Sequence, residues 1–386
     1  KNMVVGCTSF SAWNQKSADS NLIVGRNFDF YVGDEFAQNK IVCFYNPVKG
    51  NKFVFITWGG FVGAVSGMNN QGLTVTINAS KSDIPSGSAT PISLVAREIL
   101  QYASTIAEAQ AIAEKRKTFV SESILVASVK DGKTAIIEKS PSKIGLYQSD
   151  TNYIICANNF QSEVYNNDPV NIDNKNSSSS MYRHQRMEEL IANYKKIGPK
   201  EVAEILRNRD GLHNRNIGAG NEKAINQLIA HHSVIMQPAK GLIWISTQPY
   251  QLGTFECYDI NKIFNSFVGL SKKIDISESD KQIAADVFLN NLAYQNFRHF
   301  KTIAHYVNDC IKSKQKLSEH MIKAFVRSNS EQYEVYALLG DYYFSQQDFT
   351  AACNNYQLAL SKEIPLRKER IHLEENLEKC SAKQAN

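Results

Sequence analysis

The sequence predicts a mixed α+β body followed by an all-helical tail. Three observations carry that expectation. Short β-branched and aromatic runs bounded by Gly, Asn and Lys recur up to about residue 268, only a few helical stretches interrupt them, and from about Ile274 onward strand signals give way to helical periodicity. At 386 residues the chain also exceeds the usual size of one domain. The expected boundaries are a leading segment over residues 1–6, a body over residues 7–268 and a helical region over residues 275–386.

In the body, residues 53–58, 73–77 and 123–129 read as strands. The last is joined to residues 134–138 through Asp131-Gly132, a two-residue hairpin signal because both central positions of that turn favour positive φ. Residues 233–236 and 242–246, linked through Pro238 and Gly241, read as a second hairpin, so antiparallel pairing is expected to dominate. Pro91 suits the first turn of a helix running to about Ala103, and Thr105 with Glu108 has capping-box spacing before an Ala-rich helix ending near Lys117. Residues 166–180 are rich in Asn, Asp and Ser without an apolar period. They read as a mobile loop edging the cleft, followed by a helix over residues 181–195.

In the tail, residues 333–365 carry a tetratricopeptide-repeat pattern: Tyr336, Leu339-Gly340 and Tyr343 on one helix, then Ala352, Tyr356 and Ala359 on the next, then Pro365. Flanking helices are expected over residues 280–296, 296–312 and 366–380. One such hairpin cannot bury its own apolar face and must dock on neighbours.

Composition excludes several classes. With 43% hydrophobic and 21% charged residues the chain is of ordinary globular make-up. The net charge is only +5 with scattered basic residues, which makes no case for nucleic acid. No apolar run approaches the roughly 18 residues of a membrane span. Seven cysteines form no CxxC pair, and their odd number argues against a zinc ribbon or a complete disulfide framework, so no metal or cofactor is expected. The chain opens on Lys1 without a signal-peptide core or transit peptide, and the expectation is that an upstream segment is missing, leaving the compartment illegible.

The chemistry centres on Cys7. A strand-like stretch at residues 21–24 runs into Gly25-Arg26-Asn27-Phe28-Asp29-Phe30, and if it pairs with the chain around Cys7 it sets a cation and an anion beside the thiol. A guanidinium lowers a thiol pKa, and a carboxylate can orient a cationic amine. The alternative is a buried structural thiol with a surface ion pair. Cys43 and Cys156 lie in apolar runs and read as core. His231-His232 are expected to point to opposite faces of a strand and so not to share a ligand.

Cys7-Thr8-Ser9, the Gly25–Phe30 block, residues 61–69, residues 72–78 and Cys156-Ala157-Asn158-Asn159-Phe160 occur in an order that resembles the N-terminal-nucleophile amidohydrolases. Among these the chain is most similar to the acyl-CoA:6-aminopenicillanate acyltransferase (peptidase C45) family, with choloylglycine hydrolases and acid-ceramidase-like amidases as relatives. The resemblance implies an αββα sandwich in which self-cleavage at Gly6–Cys7 frees Cys7 as nucleophile, residues 1–6 being what remains of a propeptide. It implies that Arg26 stabilises the thiolate or binds substrate, that Asp29 orients the Cys7 amine, and that Asn78 and Asn158 donate to the oxyanion. Asn159 stands where that family usually has histidine. The resemblance to choloylglycine hydrolases implies a further, late active-site arginine, for which Arg209 and Arg215 are candidates.

The leading expectation is a cysteine amidohydrolase cleaving a linear, N-acyl amide through a thioacyl-enzyme, with a small-molecule amide as partner. The alternatives are an acyltransferase passing the acyl group to an amine, or a scaffold or peptide-binding protein on a degenerate hydrolase body. The tail is expected to offer a surface for a protein partner or self-association. Export to the periplasm or outside the cell is what family analogy suggests.

Overall fold

The computed structural model describes residues 4–83, 87–266 and 274–384. The expected end of the body at residue 268 and the first three residues of the leading segment lie outside the described residues. The chain divides into two compact units: residues 1–175, 180–208 and 229–285, and residues 176–179, 209–228 and 286–386. The second unit therefore takes in a stretch at 209–228 as well as the tail.

The first unit opens with β1 (Val4–Val5), β2 (Thr8–Ala12), β3 (Ile23–Phe28), β4 (Phe30–Tyr31), β5 (Ile41–Tyr45), β6 (Phe53–Thr57), β7 (Ser66–Asn69) and β8 (Leu73–Ala79). Helices α1 (Ile92–Tyr102) and α2 (Ile106–Lys115) precede β9 (Glu122–Ser128), β10 (Lys133–Lys139), β11 (Ile144–Gln148) and β12 (Tyr153–Cys156). Helices α3 (Pro169–Ser177), α4 (Ser180–Ala192) and α5 (Pro199–Leu206) then lead to β13 (His232–Gln237), β14 (Leu242–Ser246), β15 (Phe255–Asp259) and α6 (Ile260–Ser266).

Two antiparallel sheets result, in the orders β11-β10-β9-β8-β7-β6-β5 and β12-β2-β3-β13-β14-β15. Alternation explains how they stack. In β6, Phe53 and Phe55 face one way, where Val95, Ile99 and Leu100 of α1 cover them, while Val54 and Ile56 face the other way onto Val24, Val234 and Ile243 of the second sheet. Helices α1 and α2 pack on the first sheet and α4 and α5 on the second, giving four layers. Each fully buried Ile, Leu or Phe in these interfaces contributes about 1.5–3 kcal/mol. A polar seam also crosses between the sheets, with Thr76 donating to Ser9 (3.1 Å) and Ser11 bonded to Thr134 (2.7 Å).

Two local expectations in this unit are corrected. The β9–β10 connection is a four-residue loop, not a two-residue turn, and of Asp131-Gly132 only Gly132 has positive φ (64°). Asp131 is used elsewhere: its carboxylate accepts from the Ile106 amide at 2.7 Å at the head of α2. Residues 169–177 form helix α3 rather than a loop. Asp168 accepts from the Val170 and Asn171 amides at its start, and the residues it buries are Asn171 and Asn174. A helix whose inner face is polar shows no apolar period, although its asparagines satisfy the main chain of the Asn158–Phe160 segment.

The second unit contains α7 (Leu292–Ser313), α8 (Glu319–Ser328), α9 (Tyr333–Ser345), α10 (Phe349–Leu360) and α11 (Arg367–Gln384). Helices α9 and α10 pack against each other as a helical hairpin, with Gly340 against the ring of Tyr356. In place of two α-helices over residues 280–312 there is one, which starts at Leu292 where Asn291 caps it by accepting from the Tyr294 amide (3.0 Å). Only short 3-10 turns at Ser279–Lys281 and Val287–Asn290 precede it there.

Candidate active site

Cys7 stands where two strand ladders meet without joining. Val5 pairs with Phe30 and Thr8 with Asn27, so the Gly6–Cys7 peptide occupies the gap between β1–β4 and β2–β3. There the Gly6 amide donates to the Asp29 carbonyl at 2.9 Å, and the Cys7 thiol points to the same oxygen at 3.9 Å. Cys7 is buried, and it is part of the apolar cluster that includes Phe28, Val65 and Ile77.

The β2–β3 register sets Arg26 opposite Ser9, wholly buried. Its Nη2 donates to Cys7 Sγ (3.5 Å) and the Ile77 carbonyl (2.6 Å), and its Nη1 to the Val65 carbonyl (2.9 Å) and Ser66 Oγ. The guanidinium also lies 4.4 Å over the Phe28 ring. Asp29 follows β3, fully buried, and neither carboxylate oxygen has a hydrogen-bond partner among the described residues. Burial pushes its carboxyl up to about 7, with Arg183 and Arg26 pulling it part of the way back. Burial likewise raises the Cys7 thiol, which Arg26 lowers and Asp29 and Glu122 raise further. Glu122, at the head of β9, is itself pushed up to about 8 by burial against the pull of Arg26.

Asn78 closes β8 on the side facing the second sheet. Its amide donates to the Cys156 (2.8 Å) and Ala157 (3.2 Å) carbonyls and its Oδ1 accepts from Ser9, so it ties the two sheets together. Asn158 follows β12, half-buried, donating to the Ala79 carbonyl at 2.7 Å. Asn159 accepts from Ser180 Oγ (2.7 Å), bracing the same turn.

The residue that sequence reasoning missed is Arg183. From α4, wholly buried, its Nη1 donates to the Cys7 carbonyl (2.8 Å) and Thr8 Oγ1 (2.6 Å) and its Nη2 to Asn158 Oδ1 (2.6 Å). A signal existed: Arg183 and Arg186 share the face of Met187, Leu190 and Ile191, and charges on the apolar face of a helix call for an interior partner. The two arginines considered from the sequence lie in the other unit, Arg209 paired with Asp286 (2.7 Å) and Arg215 with Glu363 (2.8 Å).

The reading of His231 and His232 is also corrected. Strand β13 begins only at His232, so alternation does not extend to His231, and the two rings meet Nδ1 to Nδ1 at 2.8 Å. Cys156 is buried as expected, whereas Cys43 is only half-buried. No group of His, Cys, Asp and Glu able to hold a metal occurs among the described residues. No helix among them is long and apolar enough to cross a membrane.

Two antiparallel sheets between helical layers are the αββα architecture expected of an N-terminal-nucleophile hydrolase, and Cys7 enters the second sheet beside the buried Arg26 and Asp29. Residues 13–248 match the sequence model of the acyl-coenzyme A:6-aminopenicillanic acid acyl-transferase family, and the chain belongs to that family. The matched stretch begins after Cys7. A protein of Archaeoglobus fulgidus described as uncharacterized is 26% identical over 153 residues, which is 39% of this chain and 26% of that protein. The chain thus spans about a quarter of the length of the curated relative it matches. Among solved structures, a Caenorhabditis elegans ortholog of N-acylethanolamine-hydrolyzing acid amidase is similar at 19% identity, covering 60% of this chain and 93% of its own, with a TM-score of 0.43. A mutant of conjugated bile acid hydrolase from Clostridium perfringens is similar at 13% identity, covering 66% and 93%, also at 0.43.

Proposed function

We propose that the protein is an N-terminal-nucleophile cysteine amidase that cleaves itself between Gly6 and Cys7 and then hydrolyses a linear N-acyl amide. The observation that carries this reading is the Asp29 carboxylate, buried without a hydrogen-bond partner among the described residues and within the electrostatic reach of Cys7. While Cys7 is joined to Gly6 its nitrogen is a peptide amide and has no basicity. Attack of the thiol on the Gly6 carbonyl, shift of that acyl group from nitrogen to sulfur, and hydrolysis of the thioester would convert the nitrogen to an amine with a reference pKa of about 7.7–8.0. Its ammonium form is the partner that Asp29 lacks, and its neutral form is a base for its own thiol.

In turnover the Cys7 sulfur attacks the substrate carbonyl, the amine leaves with the proton taken from the thiol, and water releases the acid. Arg26 offsets the cost of a buried thiolate. Asn158, held by Arg183 and with one amide proton not given to the Ala79 carbonyl, is the proposed oxyanion donor, worth about 2.7–4 kcal/mol in the transition state. Asn78, whose two amide protons go to the Cys156 and Ala157 carbonyls, braces the segment that carries it. The family match favours a second reading, in which an amine replaces water as acceptor. Product analysis with and without an added amine separates the two.

The test is intact-mass and N-terminal sequencing of the purified protein and its Cys7→Ala variant. The reading expects a chain beginning at Cys7 in the first, an uncleaved chain in the second, and N-acyl amide hydrolysis in the first alone. Amidase activity retained by Cys7→Ala would overturn it.

A further inference from the structure

Arg26 is held by four acceptors. Three are the Val65 and Ile77 carbonyls and the Cys7 sulfur, and the fourth, Ser66 Oγ, is a side chain that can turn. What fixes it is His232, whose Nε2 lies 2.9 Å from Ser66 Oγ. His232 in turn meets His231 through their Nδ1 atoms at 2.8 Å. All of these side chains are buried.

The direction of the chain follows from its first member. A guanidinium only donates, so Ser66 Oγ accepts from Arg26 and has its hydroxyl proton left for His232 Nε2. His232 then carries its proton on Nδ1 and donates it to His231 Nδ1, leaving the His231 proton on Nε2. That nitrogen has no hydrogen-bond partner among the described residues. The ring is enclosed by Phe36, Trp58 and Phe28 at centroid distances of 4.6, 5.2 and 6.1 Å. Burial, with Lys40 and Arg26 adding to it, pushes His231 down to about 3, and burial with the same two charges and His231 holds His232 well below the ordinary histidine range. Both rings are therefore neutral at physiological pH, which the alternating pattern of donors and acceptors requires.

We propose that His232 is a positioning residue that acts through Ser66 to hold the Arg26 guanidinium on the Cys7 sulfur, with His231 fixing its tautomer. The inference rests on Cys7 being the reacting thiol. Besides Arg26, the charged groups acting on that thiol are Asp29 and Glu122, and none of the positioning side chains carries charge, so the effect comes from alignment alone.

The experiment titrates the Cys7 thiolate by ultraviolet absorbance, each protein measured against its own Cys7→Ala counterpart so that the other cysteines and the tyrosines cancel. Ser66→Ala and His232→Phe are expected to raise the midpoint by about one pH unit, a tenfold fall in thiolate at fixed pH. They should lower kcat with little change in KM. His232→Gln, whose amide oxygen reaches the place of Nε2 and can accept from Ser66, is expected to keep the parent midpoint. Parent midpoints in both Ser66→Ala and His232→Phe overturn the proposal, as do equal shifts in His232→Gln and His232→Phe. Where His232→Phe does not fold, Ser66→Ala alone decides. The titration reads Cys7 whether or not the protein turns over an amide, so a failed positioning role and a failed amidase reading give different results.

Discussion

Arg183 Nη1 donates to the main-chain carbonyl of Cys7 at 2.8 Å, which ties helix α4 directly to the proposed nucleophile. The same guanidinium holds Thr8 and Asn158, so it joins the start of β2 to the turn after β12. Arg183→Met is expected to lower kcat about 100-fold, on the scale of losing one aligned oxyanion donor, and more than it changes KM. Arg209→Ala, which breaks a pair inside the other unit, is expected to leave kcat/KM unchanged. Steady-state kinetics on the two variants check both outcomes.

Arg26→Lys is expected to be severe although it keeps the charge. One ammonium cannot reach the Val65 and Ile77 carbonyls, Ser66 Oγ and the Cys7 sulfur together, and each buried acceptor left unmet costs about 1–3 kcal/mol. Denaturant unfolding should show a loss of at least about 2 kcal/mol, and self-cleavage followed by mass should stop or slow greatly.

Asp29 gives a pH signature of the uncleaved state. Its folded carboxyl is raised from 3.8 to about 7, so between those values the folded chain holds a proton that the unfolded chain releases. The stability from this group is full below about 3.8 and is lost as pH rises through about 7. Unfolding of Cys7→Ala, which stays joined to Gly6, should therefore lose on the order of a few kcal/mol across that window relative to Cys7→Ala/Asp29→Asn. Glu122 titrates with the same sign in both and cancels. In the cleaved protein the Cys7 ammonium should draw Asp29 down and flatten the curve.

Gly340→Ala tests the helical hairpin of the second unit. Alanine is favoured over glycine in a helix by up to about 1 kcal/mol. Here, though, its Cβ would lie 2.5 Å from ring carbons of Tyr356, which is buried and donates to Asp341 at 2.8 Å. The clash should win, with a net loss of about 1–2 kcal/mol read from thermal unfolding of that unit.

The parts of the molecule that were legible in the sequence are those encoded within a few residues of themselves. Leu73, Val75 and Ile77 alternate with Thr74, Thr76 and Asn78 because a strand turns successive side chains to opposite faces, and β8 follows. Thr105 and Glu108 make the capping box expected of them at the head of α2. Cys7, Arg26 and Asp29 could be named together because β2 and β3 are consecutive antiparallel strands, whose pairing is nearly a local event.

Tertiary structure alone decided what crosses the layers. The bond from Arg183 to the Cys7 carbonyl spans 176 positions and exists only because α4 is laid on the second sheet. Helix α3 has no apolar period because its buried asparagines satisfy main-chain groups, a demand that arises only once the turn at Asn158 is enclosed. His232 and Ser66 meet across 166 positions. Periodicity and caps are written in the chain because their energies are local, whereas a buried polar group takes its partner from whichever distant segment packing brings within reach.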